Sequence, residues 1–465
     1  MALPLLGNAW RFLPIVGSYK VSEVDKVSKL LHETFGDIVR ISGIIGRPDM
    51  VFLFDADEIE KLFREEGQTP HRPSMPSLNY YKHVLRKDVF GEDAGVIAVH
   101  GEGWYKFRTK VQQTMLQPRT AKLYISTIEE TVDSFIDRIE KIKDTNSEVP
   151  GDFLSEIHNW SLESLARIAL DVKLGCLKES SEETEEIIEA INTVFKSTPD
   201  LELKIPFWRF FNTPTWNKYV KALDSIQRIS MKYAQIAFER LSKDPKAQCR
   251  PDSSLLERVL NQNNPHVATV LAFDLFLVGV DTTSAGVANI LYQLSLHPEY
   301  QEILYEDVTK ALGKGPVTSQ SLEEMQYVRA FIRETHRLYP SVLGNGRTMI
   351  KDTVICGYKI PKGVQIVFPH ERMSKLTRYF DSPNEFIPER WFKSKKNNYH
   401  PFASLPFGYG KRMCLGRRFA DLELLVLTAK IIQKYKIEYR YPKLEHTVSP
   451  VYIPNGPLKF RFIKR

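Results

Sequence analysis

Residues 264–297 restrict the fold of this chain more than any other stretch of its sequence. The stretch begins with Asn264-Pro265, stays apolar almost all round and ends before Pro298, which is typical of one long helix. A helix of roughly 33 residues is about 50 Å long, which is enough to cross a globular molecule. Because an apolar surface on every side must be covered on every side, the stretch predicts a buried core helix.

A membrane-spanning helix is the alternative interpretation of the same stretch, since residues 271–280 read LAFDLFLVGV. Two carboxylates, Asp274 and Asp281, lie within it. A carboxylate in the hydrocarbon core of a bilayer is costly, so the core helix is the prediction we adopt.

The composition is that of a large folded protein. The chain has 465 residues, 43% hydrophobic and 26% charged, without a Gly/Ser-rich linker or a repeat of fixed period. Its formal net charge of +7 comes from basic residues interleaved with acidic ones. The length alone would favour two or more domains, but without a linker one integrated domain over residues 1–465 is the interpretation we adopt, and we expect no nucleic-acid partner.

The four cysteines are scattered, with no spacing typical of a metal site: Cys176, Cys249, Cys356 and Cys414. A chain of this length does not need disulfide bonds to stabilise its core, so we expect free thiols and a reducing compartment. The N-terminal residues MALPLLGN are too few for a signal peptide and lack the basic, serine-rich character of a transit peptide. We expect a targeting segment to be absent or already removed.

The remaining patterns predict a mainly α protein with minor β structure. Residues 36–42 and 49–55 alternate like strands, and 353–360 returns to the same pattern near the C-terminal end. Helical periodicity dominates residues 101–321. Within 120–143 the spacing of the apolar side chains predicts one amphipathic helix, with Leu123, Ile128, Val132, Phe135, Ile136 and Ile139 on its buried face.

Residues 205–216 read IPFWRFFNTPTW and are unusually aromatic for a connection between helices. One interpretation is a loop packed on the core. The other is an exposed apolar lid that enters a membrane interface or covers a lipophilic pocket. The sequence leaves both open.

Residues 407–416 read FGYGKRMCLG, a lone cysteine among glycines and two basic residues. Cysteine binds iron as a thiolate, and a bound metal ion deprotonates it. Glycine lets a backbone approach a flat macrocycle closely, and Arg412 could reach a carboxylate on that macrocycle. The glycines of this segment are Gly408, Gly410 and Gly416. The segment therefore predicts haem held by a cysteine thiolate.

The same segment resembles the haem-binding signature of the cytochrome P450 family, F-x-x-G-x-R-x-C-x-G, at every fixed position from Phe407 to Gly416. The resemblance extends over nearly the whole chain. It implies the cytochrome P450 fold, in which a long central helix lies over haem b and small sheets form from both chain ends. It implies that Cys414 binds the haem iron and that Phe407, Gly408 and Gly416 lie against the haem.

Further motifs resemble the same family in the expected order. Glu334-Thr-His-Arg337 is similar to its E-x-x-R pair, and Pro388-Glu-Arg390 to its P-E-R motif. The resemblance implies that Glu334, Arg337 and Arg390 form a buried charge network, although an i,i+3 pair alone is weak evidence.

Propionate binding is implied by two more resemblances. Trp104-Tyr-Lys-Phe-Arg108 is similar to the family's W-x-x-x-R, and Arg347 lies where another propionate ligand is expected. Together with Arg412, these side chains would neutralise two carboxylates in a low-dielectric site.

The centre of the long helix carries Val278-Gly-Val-Asp-Thr-Thr283, which resembles the family's A/G-G-x-D/E-T-T. The resemblance implies that Gly279 interrupts the helical ladder to open a groove over the iron. It implies that Asp281 and Thr282 relay protons to dioxygen. Val278 departs from the usual small residue and is expected to narrow the pocket.

Four arginines make the chain resemble the mitochondrial P450s of animals, particularly arthropods: Arg329, Arg333, Arg417 and Arg418. In that group, basic residues at these positions bind an acidic, adrenodoxin-like ferredoxin, and clustered cations would steer such a partner. The resemblance implies a location on the matrix side of the mitochondrial inner membrane with peripheral membrane association. The endoplasmic reticulum membrane is the alternative.

The function implied by the resemblance is a haem-thiolate monooxygenase acting on a lipophilic small molecule. An ecdysteroid-like steroid and a xenobiotic such as an insecticide or plant toxin both remain open as substrates. Two alternatives stand beside it. One is an isomerase or lyase of the same fold that uses no external O₂, against which the Asp281-Thr282 pair argues. The other is a haem-dependent sensor or carrier without enzymatic activity.

Overall fold

The computed structural model of the chain describes residues 7–12, 17, 19–44, 46–72, 75–178, 181–243, 253–262, 265–392, 399–448 and 451–465. Its α-helices are α1 Val24–Phe35, α2 Ala56–Glu65, α3 Pro76–Tyr80, α4 Lys87–Phe90, α5 Gly101–Leu116, α6 Pro118–Lys122, α7 Ile125–Ile142, α8 Phe153–Leu170, α9 Glu182–Leu203, α10 Pro214–Lys243, α11 Leu255–Gln262, α12 Pro265–Leu296, α13 Pro298–Leu312, α14 Ser319–Glu324, α15 Gln326–Leu338, α16 His370–Met373 and α17 Arg417–Lys434. Its strands are β1 Ile38–Ile41, β2 Met50–Leu53, β3 Asn345–Thr348, β4 Thr353–Ile355, β5 Tyr358–Ile360, β6 Gln365–Phe368, β7 Tyr435–Glu438, β8 His446–Val448, β9 Tyr452–Pro454 and β10 Arg461–Lys464.

Helix α12 is the predicted central helix. It runs from Pro265 to Leu296, and its side chains are buried on almost every side. By length and composition it is the one helix among the described residues that could cross a membrane, but 78% of its most apolar window is buried inside the protein. The core-helix prediction is therefore confirmed, because protein rather than lipid covers its surface.

Three long helices surround α12 and form the larger hydrophobic core. Helix α8 packs along its middle, α10 packs along its other side, and α17 lies against its C-terminal half. Helix α9 reaches this core mainly through α10. The fully buried aromatic residues of this core include Trp160, Tyr219 and Tyr292. Burial of such large side chains is the main source of its stability.

The predicted strands form small sheets that join the two ends of the chain. Strands β1 and β2 pair antiparallel, β2 pairs parallel with β6, and β3 pairs antiparallel with β6. Two-stranded sheets are formed by β4 with β5, β7 with β10 and β8 with β9. A second hydrophobic core, with Phe54, Ile59 and Ile366 fully buried, lies against the larger sheet. The predicted fold class, mainly α with minor β from both ends, is confirmed.

The predicted helix over 120–143 is two helices. Helix α6 ends at Lys122 and α7 begins at Ile125, so Leu123 falls between them and is 42% exposed. Its predicted place on the buried face is therefore wrong. Five of the six apolar side chains are buried on α7, as predicted: Ile128, Val132, Phe135, Ile136 and Ile139.

The aromatic stretch is packed on the core at its tryptophans, as the first interpretation predicts, and exposed at three of its phenylalanines. Trp208 and Trp216 are buried and stack with their ring centroids 4.7 Å apart. Phe207, Phe210 and Phe211 are exposed, Phe210 to 82%. The two tryptophans therefore pack this connection against the core, while the three phenylalanines are exposed to solvent.

The described cysteines, Cys176, Cys356 and Cys414, are free thiols, as expected. Cys249 lies outside the described residues.

Candidate active site

The Cys414 loop is held in a tight conformation just before α17. The backbone N–H of Cys414 donates to the carbonyl oxygen of Phe407 over 2.9 Å, closing the loop on itself. Gly408 and Gly410 have φ angles of 69° and 73°, in the left-handed region that favours glycine. At Gly410 a Cβ would also collide with the carboxylate of Glu66. The loop therefore requires glycine for both reasons.

The thiol of Cys414 is exposed although its neighbours Arg412 and Leu415 are buried. Surrounding protein atoms raise the pKa of the Cys414 thiol, while the backbone N–H of Gly416 and the charges of Arg108 and Arg72 act to lower it. An N–H donor and two nearby cations stabilise a thiolate. A metal ion bound to this sulfur would complete the deprotonation.

A stripe of partly exposed residues interrupts the buried surface of α12. Its members are Leu275, Val278, Gly279 and Thr282. Their i, i+3, i+4, i+7 spacing places them on one face of the helix. Open space therefore lies along this face at the centre of an otherwise buried helix. We call these four residues the α12 stripe.

An arginine cluster lies beside the Cys414 loop. Arg412 donates from Nε to the carbonyl oxygen of Pro70 (3.0 Å) and from Nη1 to that of Val99 (2.9 Å). Its Cζ lies 3.6 Å from the ring centre of Trp104, a cation–π contact. Arg108 donates to the carbonyl oxygen of Met413 over 3.0 Å.

The cluster has more positive charge than its surroundings neutralise. Burial, together with the neighbouring cations Arg347, Arg72 and Arg108, lowers the pKa of Arg412 to about 9. Burial likewise lowers the pKa of Arg108 to about 10. Within the described residues, Nη2 of Arg412 and Nε of Arg108 are buried without a hydrogen-bond acceptor. Buried cations and unpaired donors require anions, and the two carboxylates of haem fit this requirement.

Arg347 has a carboxylate partner within the protein. Its Nε donates to Oε2 of Glu66 over 2.7 Å, and both side chains are buried. Arg347 therefore already has a carboxylate partner, because α2 brings Glu66 beside strand β3. A propionate would have to share this guanidinium with Glu66.

Sequence reasoning missed three members of this region: His71, Arg72 and His100. Arg72 is electrostatically coupled to Cys414 and Arg347. His71 and His100 stack with ring centroids 4.1 Å apart, and Nδ1 of each is buried without a partner among the described residues. Burial, with His71 and Arg412 nearby, lowers the pKa of His100 to about 3. No motif marked these residues, since they lie in irregular segments that meet only in the fold.

The charge network around Glu334 assembles as predicted. Arg337 makes two contacts to the Glu334 carboxylate, at 2.9 and 2.7 Å, and Nε of Arg390 donates to the same group over 3.0 Å. Glu334 and Arg337 are completely buried. Trp391, which the sequence did not indicate, donates its indole N–H to Glu334 over 2.9 Å. Both carboxylate oxygens of Glu334 thus accept hydrogen bonds, and a buried ion pair needs such partners to offset the loss of water.

The middle of α12 differs from its expected geometry. The helix is α-helical throughout Pro265–Leu296, so Gly279 does not interrupt it. The hydroxyl of Thr282 donates to the carbonyl oxygen of Val278 over 2.8 Å. Asp281 is buried, and its Oδ1 lies 3.2 Å from Nε2 of His158 on α8. The hydroxyl of Thr282 is thus satisfied by the preceding turn of its own helix.

The four arginines assigned to a redox partner surround one carboxylate, Asp421. Arg417 pairs with Asp421 at 3.4 Å, and the charges of Arg418 and Arg333 act on the same group. Burial lowers the pKa of Arg329, and Arg333 beside it adds to this effect. Asp421 and Glu323, which also acts on Arg329, are outnumbered by the four arginines, so this surface is positively charged.

The described residues contain no group of three or more His, Cys, Asp and Glu side chains arranged to hold a metal ion. A metal carried by a macrocycle needs a single protein ligand, and the exposed Cys414 is suited to that task.

Comparisons with known proteins define the class of this chain. The cytochrome P450 family profile matches residues 4–462. The chain is 46% identical to "Probable cytochrome P450 301a1, mitochondrial" of Drosophila melanogaster, over 99% of this chain and 85% of that protein. It is 44% identical to "Probable cytochrome P450 49a1" of the same species, over 100% of this chain and 81% of that protein. It is 34% identical to "Cytochrome P450 CYP12A2" of Musca domestica, over 97% and 88%.

A solved structure shares the fold. The heme domain of cytochrome P450DA superimposes with a TM-score of 0.81, covering 100% of this chain and 97% of that domain at 19% identity. The chain belongs to the cytochrome P450 family. Its cofactor is haem b and its enzymatic class is cytochrome P450 monooxygenase.

Proposed function

We propose that the protein is a mitochondrial haem-thiolate monooxygenase in which Cys414 binds the haem iron. A ferredoxin supplies the two electrons needed to reduce O₂, of which one atom is inserted into a lipophilic small molecule and the other leaves as water. The observation that carries the proposal is the exposed Cys414 thiol in a glycine-dependent loop whose Arg412 and Leu415 are buried. An arginine cluster that lacks anions lies beside it.

Bound haem supplies the activation of dioxygen. The chain's own residues would hold and orient it: Arg72, Arg108 and Arg412 would bind its carboxylates, and Trp104 lies against the Arg412 guanidinium. Phe407, Gly408 and Gly416 would shape the Cys414 loop for it, and Arg347 would share its charge with Glu66. The Glu334–Arg337–Arg390 network fixes the segment behind the loop.

The α12 stripe forms one wall of the substrate space. Leu275 and Val278 give it apolar side chains, so the stripe suits a lipophilic substrate such as a steroid or an apolar xenobiotic. Val278 is larger than the residue expected there and limits the depth of that space. Thr282 and Asp281 deliver protons at this wall.

Two features support the ferredoxin and the location. The positively charged surface around Asp421 is complementary to an acidic protein. Relatives with substantial identity over nearly the whole chain carry "mitochondrial" in their names. The exposed Phe207, Phe210 and Phe211 favour peripheral contact with a membrane, for which we propose the matrix side of the inner membrane.

The ligand assignment is tested by Cys414→Ser. The substituted protein should lose the absorption typical of a thiolate-bound, reduced, CO-complexed haem. Cys356→Ser is the matched control, since Cys356 is a free thiol in the turn between β4 and β5. An unchanged spectrum in the Cys414 variant would refute the assignment.

The reaction class is tested by reconstitution with NADPH, a ferredoxin reductase and a ferredoxin, against a panel of steroids and xenobiotics. A monooxygenase consumes NADPH and O₂ and forms an oxygenated product. A sensor or carrier consumes no reducing equivalents, and an isomerase or lyase forms product from a peroxide without NADPH. Either of those results would contradict the proposal.

A further inference from the structure

Helix α8 contacts three consecutive residues at the centre of α12. Leu165 lies against Gly279, where a Cβ would be 3.2 Å from Leu165 Cδ2. The hydroxyl of Ser161 donates to the carbonyl oxygen of Val280 over 3.1 Å. Nε2 of His158 lies 3.2 Å from Oδ1 of Asp281, as described above. Helix α8 therefore fixes the position of the segment that carries the proton-delivery residues.

Asp281 depends on His158 for its partner. The two side chains are 5% and 13% exposed, respectively. Among the described residues, His158 is the only side chain within ion-pair distance of Asp281. A carboxylate this deeply buried is costly unless a cation or hydrogen-bond donor faces it. Loss of the imidazole would therefore leave Asp281 unsupported.

The direction of Asp281 follows from its burial: its side chain is buried, whereas that of Thr282 is partly exposed. Thr282 belongs to the stripe, and Asp281 faces α8 instead. The contact with His158 is what holds it there.

We infer that His158 is a positioning residue for proton delivery: it holds the Asp281 carboxylate in one orientation beside the α12 stripe. This inference rests on the proposed function, in which Asp281 acts with Thr282. Neither the family motif nor the sequence patterns assigned a role to His158.

Nuclear magnetic resonance tests the contact itself, in the reduced, CO-bound haem protein labelled with isotope-enriched histidine. The ring signal of His158 is identified by its loss in His158→Phe. Asp281→Asn should shift that signal and leave the ring signal of His266 in place. His266 is a suitable reference because it lies on the same helix α12, with Nε2 3.1 Å from the carbonyl oxygen of Phe90. An unshifted His158 signal would overturn the inference.

The functional role is tested by the share of NADPH electrons that is released as hydrogen peroxide. His158→Phe should raise that share about threefold or more, with the spectrally measured substrate affinity changed less than about twofold. His158→Gln should restore most of the coupling, because the glutamine amide can donate from a similar position. His266→Phe, the matched control, should behave like the unsubstituted protein.

A double variant separates positioning from a general effect on packing. If His158 acts through Asp281, adding His158→Phe to Asp281→Asn should raise the peroxide share by less than about 1.5-fold. If His158→Phe raised the peroxide share as much in the Asp281→Asn protein as in the unsubstituted protein, the inference would be wrong. An unsubstituted protein that consumes no NADPH would instead contradict the proposed function, and the magnetic resonance result would still decide whether His158 holds Asp281.

Discussion

Arg72 is the residue of the arginine cluster with the fewest bonds to the described protein. Its charge acts on Cys414 and Arg347, yet no hydrogen bond or ion pair joins it to any other residue in the described part of the chain. Arg412, in contrast, donates to two backbone carbonyl groups. Arg72 is therefore the member of the arginine cluster whose removal leaves the loops intact.

We predict that Arg72→Met weakens haem retention without unfolding the protein. Loss of one charge-assisted hydrogen bond costs about 1.5–3 kcal/mol, which corresponds to roughly a tenfold to hundredfold faster transfer of haem to an acceptor protein. Haem transfer is followed by absorbance. Arg64→Met, an exposed substitution on α2, is the control and should leave the transfer rate unchanged. Equal rates for both variants would remove Arg72 from the haem site.

Residues that lie within a short local pattern could be predicted, and residues that meet only in the fold could not. Cys414 and its glycines occupy ten consecutive positions. Arg72 and His158 lack such neighbours, because their partners are brought to them by irregular segments and by helix packing. Distance in sequence, rather than weakness of the interaction, explains why they were missed.

At the scale of elements, a buried ion pair joins the segment 94–99 to the central helix. Nζ of Lys82 contacts Oδ1 of Asp274 at 2.6 Å and donates to the carbonyl oxygens of Ala94 and Ile97. The second carboxylate oxygen of Asp274 accepts the backbone N–H of Val96 over 2.7 Å. Asp274, which argued against a membrane helix, is thus compensated inside the protein.

We predict that Lys82→Met lowers the free energy of unfolding by about 3–5 kcal/mol, because it leaves a buried carboxylate unpaired. The double variant Lys82→Met/Asp274→Leu should recover most of that loss, since no buried charge remains. Denaturant unfolding measures both. If the losses of stability measured separately for Lys82→Met and Asp274→Leu simply added in the double variant, the two side chains would not be coupled.

Glu423 links α17 to α8 through a hydrogen bond donated by the hydroxyl of Ser164. Complete burial raises the pKa of Glu423 to about 7, so folding keeps the carboxyl group protonated at a pH where the unfolded chain ionises it. Because the folded pKa lies above the unfolded one, stability from this group is fully present below about pH 4.5 and falls as the pH rises towards 7.

We predict that Glu423→Gln raises the free energy of unfolding by about 3 kcal/mol at pH 8 and changes it little at pH 4.5. The amide keeps an acceptor for Ser164 and cannot ionise. Thermal unfolding across this pH range measures the difference. Glu438→Gln, on strand β7 at the surface, is the control and should give no comparable rise at pH 8. The same gain at both pH values would show that ionisation of Glu423 is not the cause.

At the scale of the whole molecule, one helix and one sheet fix the relative placement of distant segments. The apolar pattern of 264–297 was strong enough to predict α12, because no other arrangement covers such a surface. The parallel pairing of β2 with β6 could not be predicted, since it joins segments about three hundred residues apart through backbone hydrogen bonds that carry no sequence signature. The break between α6 and α7 at Leu123 could not be predicted either, because the apolar spacing of the sequence continues across it.

The positively charged surface around Asp421 is where we expect the molecule to meet its electron donor. We predict that reversing Arg333 and Arg418 to Glu together weakens binding of an acidic ferredoxin at least tenfold and reduces its dependence on salt. These two arginines are exposed, although Arg418 donates to the carbonyl oxygen of Leu116 over 3.3 Å. Arg329 is half-buried and donates to the carbonyl oxygen of Leu322 over 2.9 Å, so its reversal would place a carboxylate in a partly buried position. Titration at two salt concentrations measures the affinity.

Substrate affinity is the internal control for this reversal, because the α12 stripe belongs to the interior of the protein and the arginines lie on its surface. Reversing Lys436 and Arg440, which pair with Glu302 and Glu438 on another surface, makes the same change in net charge and should leave ferredoxin binding within about twofold. If both pairs weakened binding equally, net charge rather than a docking surface would explain the effect. If only the reversal of Arg333 and Arg418 weakened ferredoxin binding, the ferredoxin would have to contact that surface. Net charge acting at a distance through salt would affect both pairs alike.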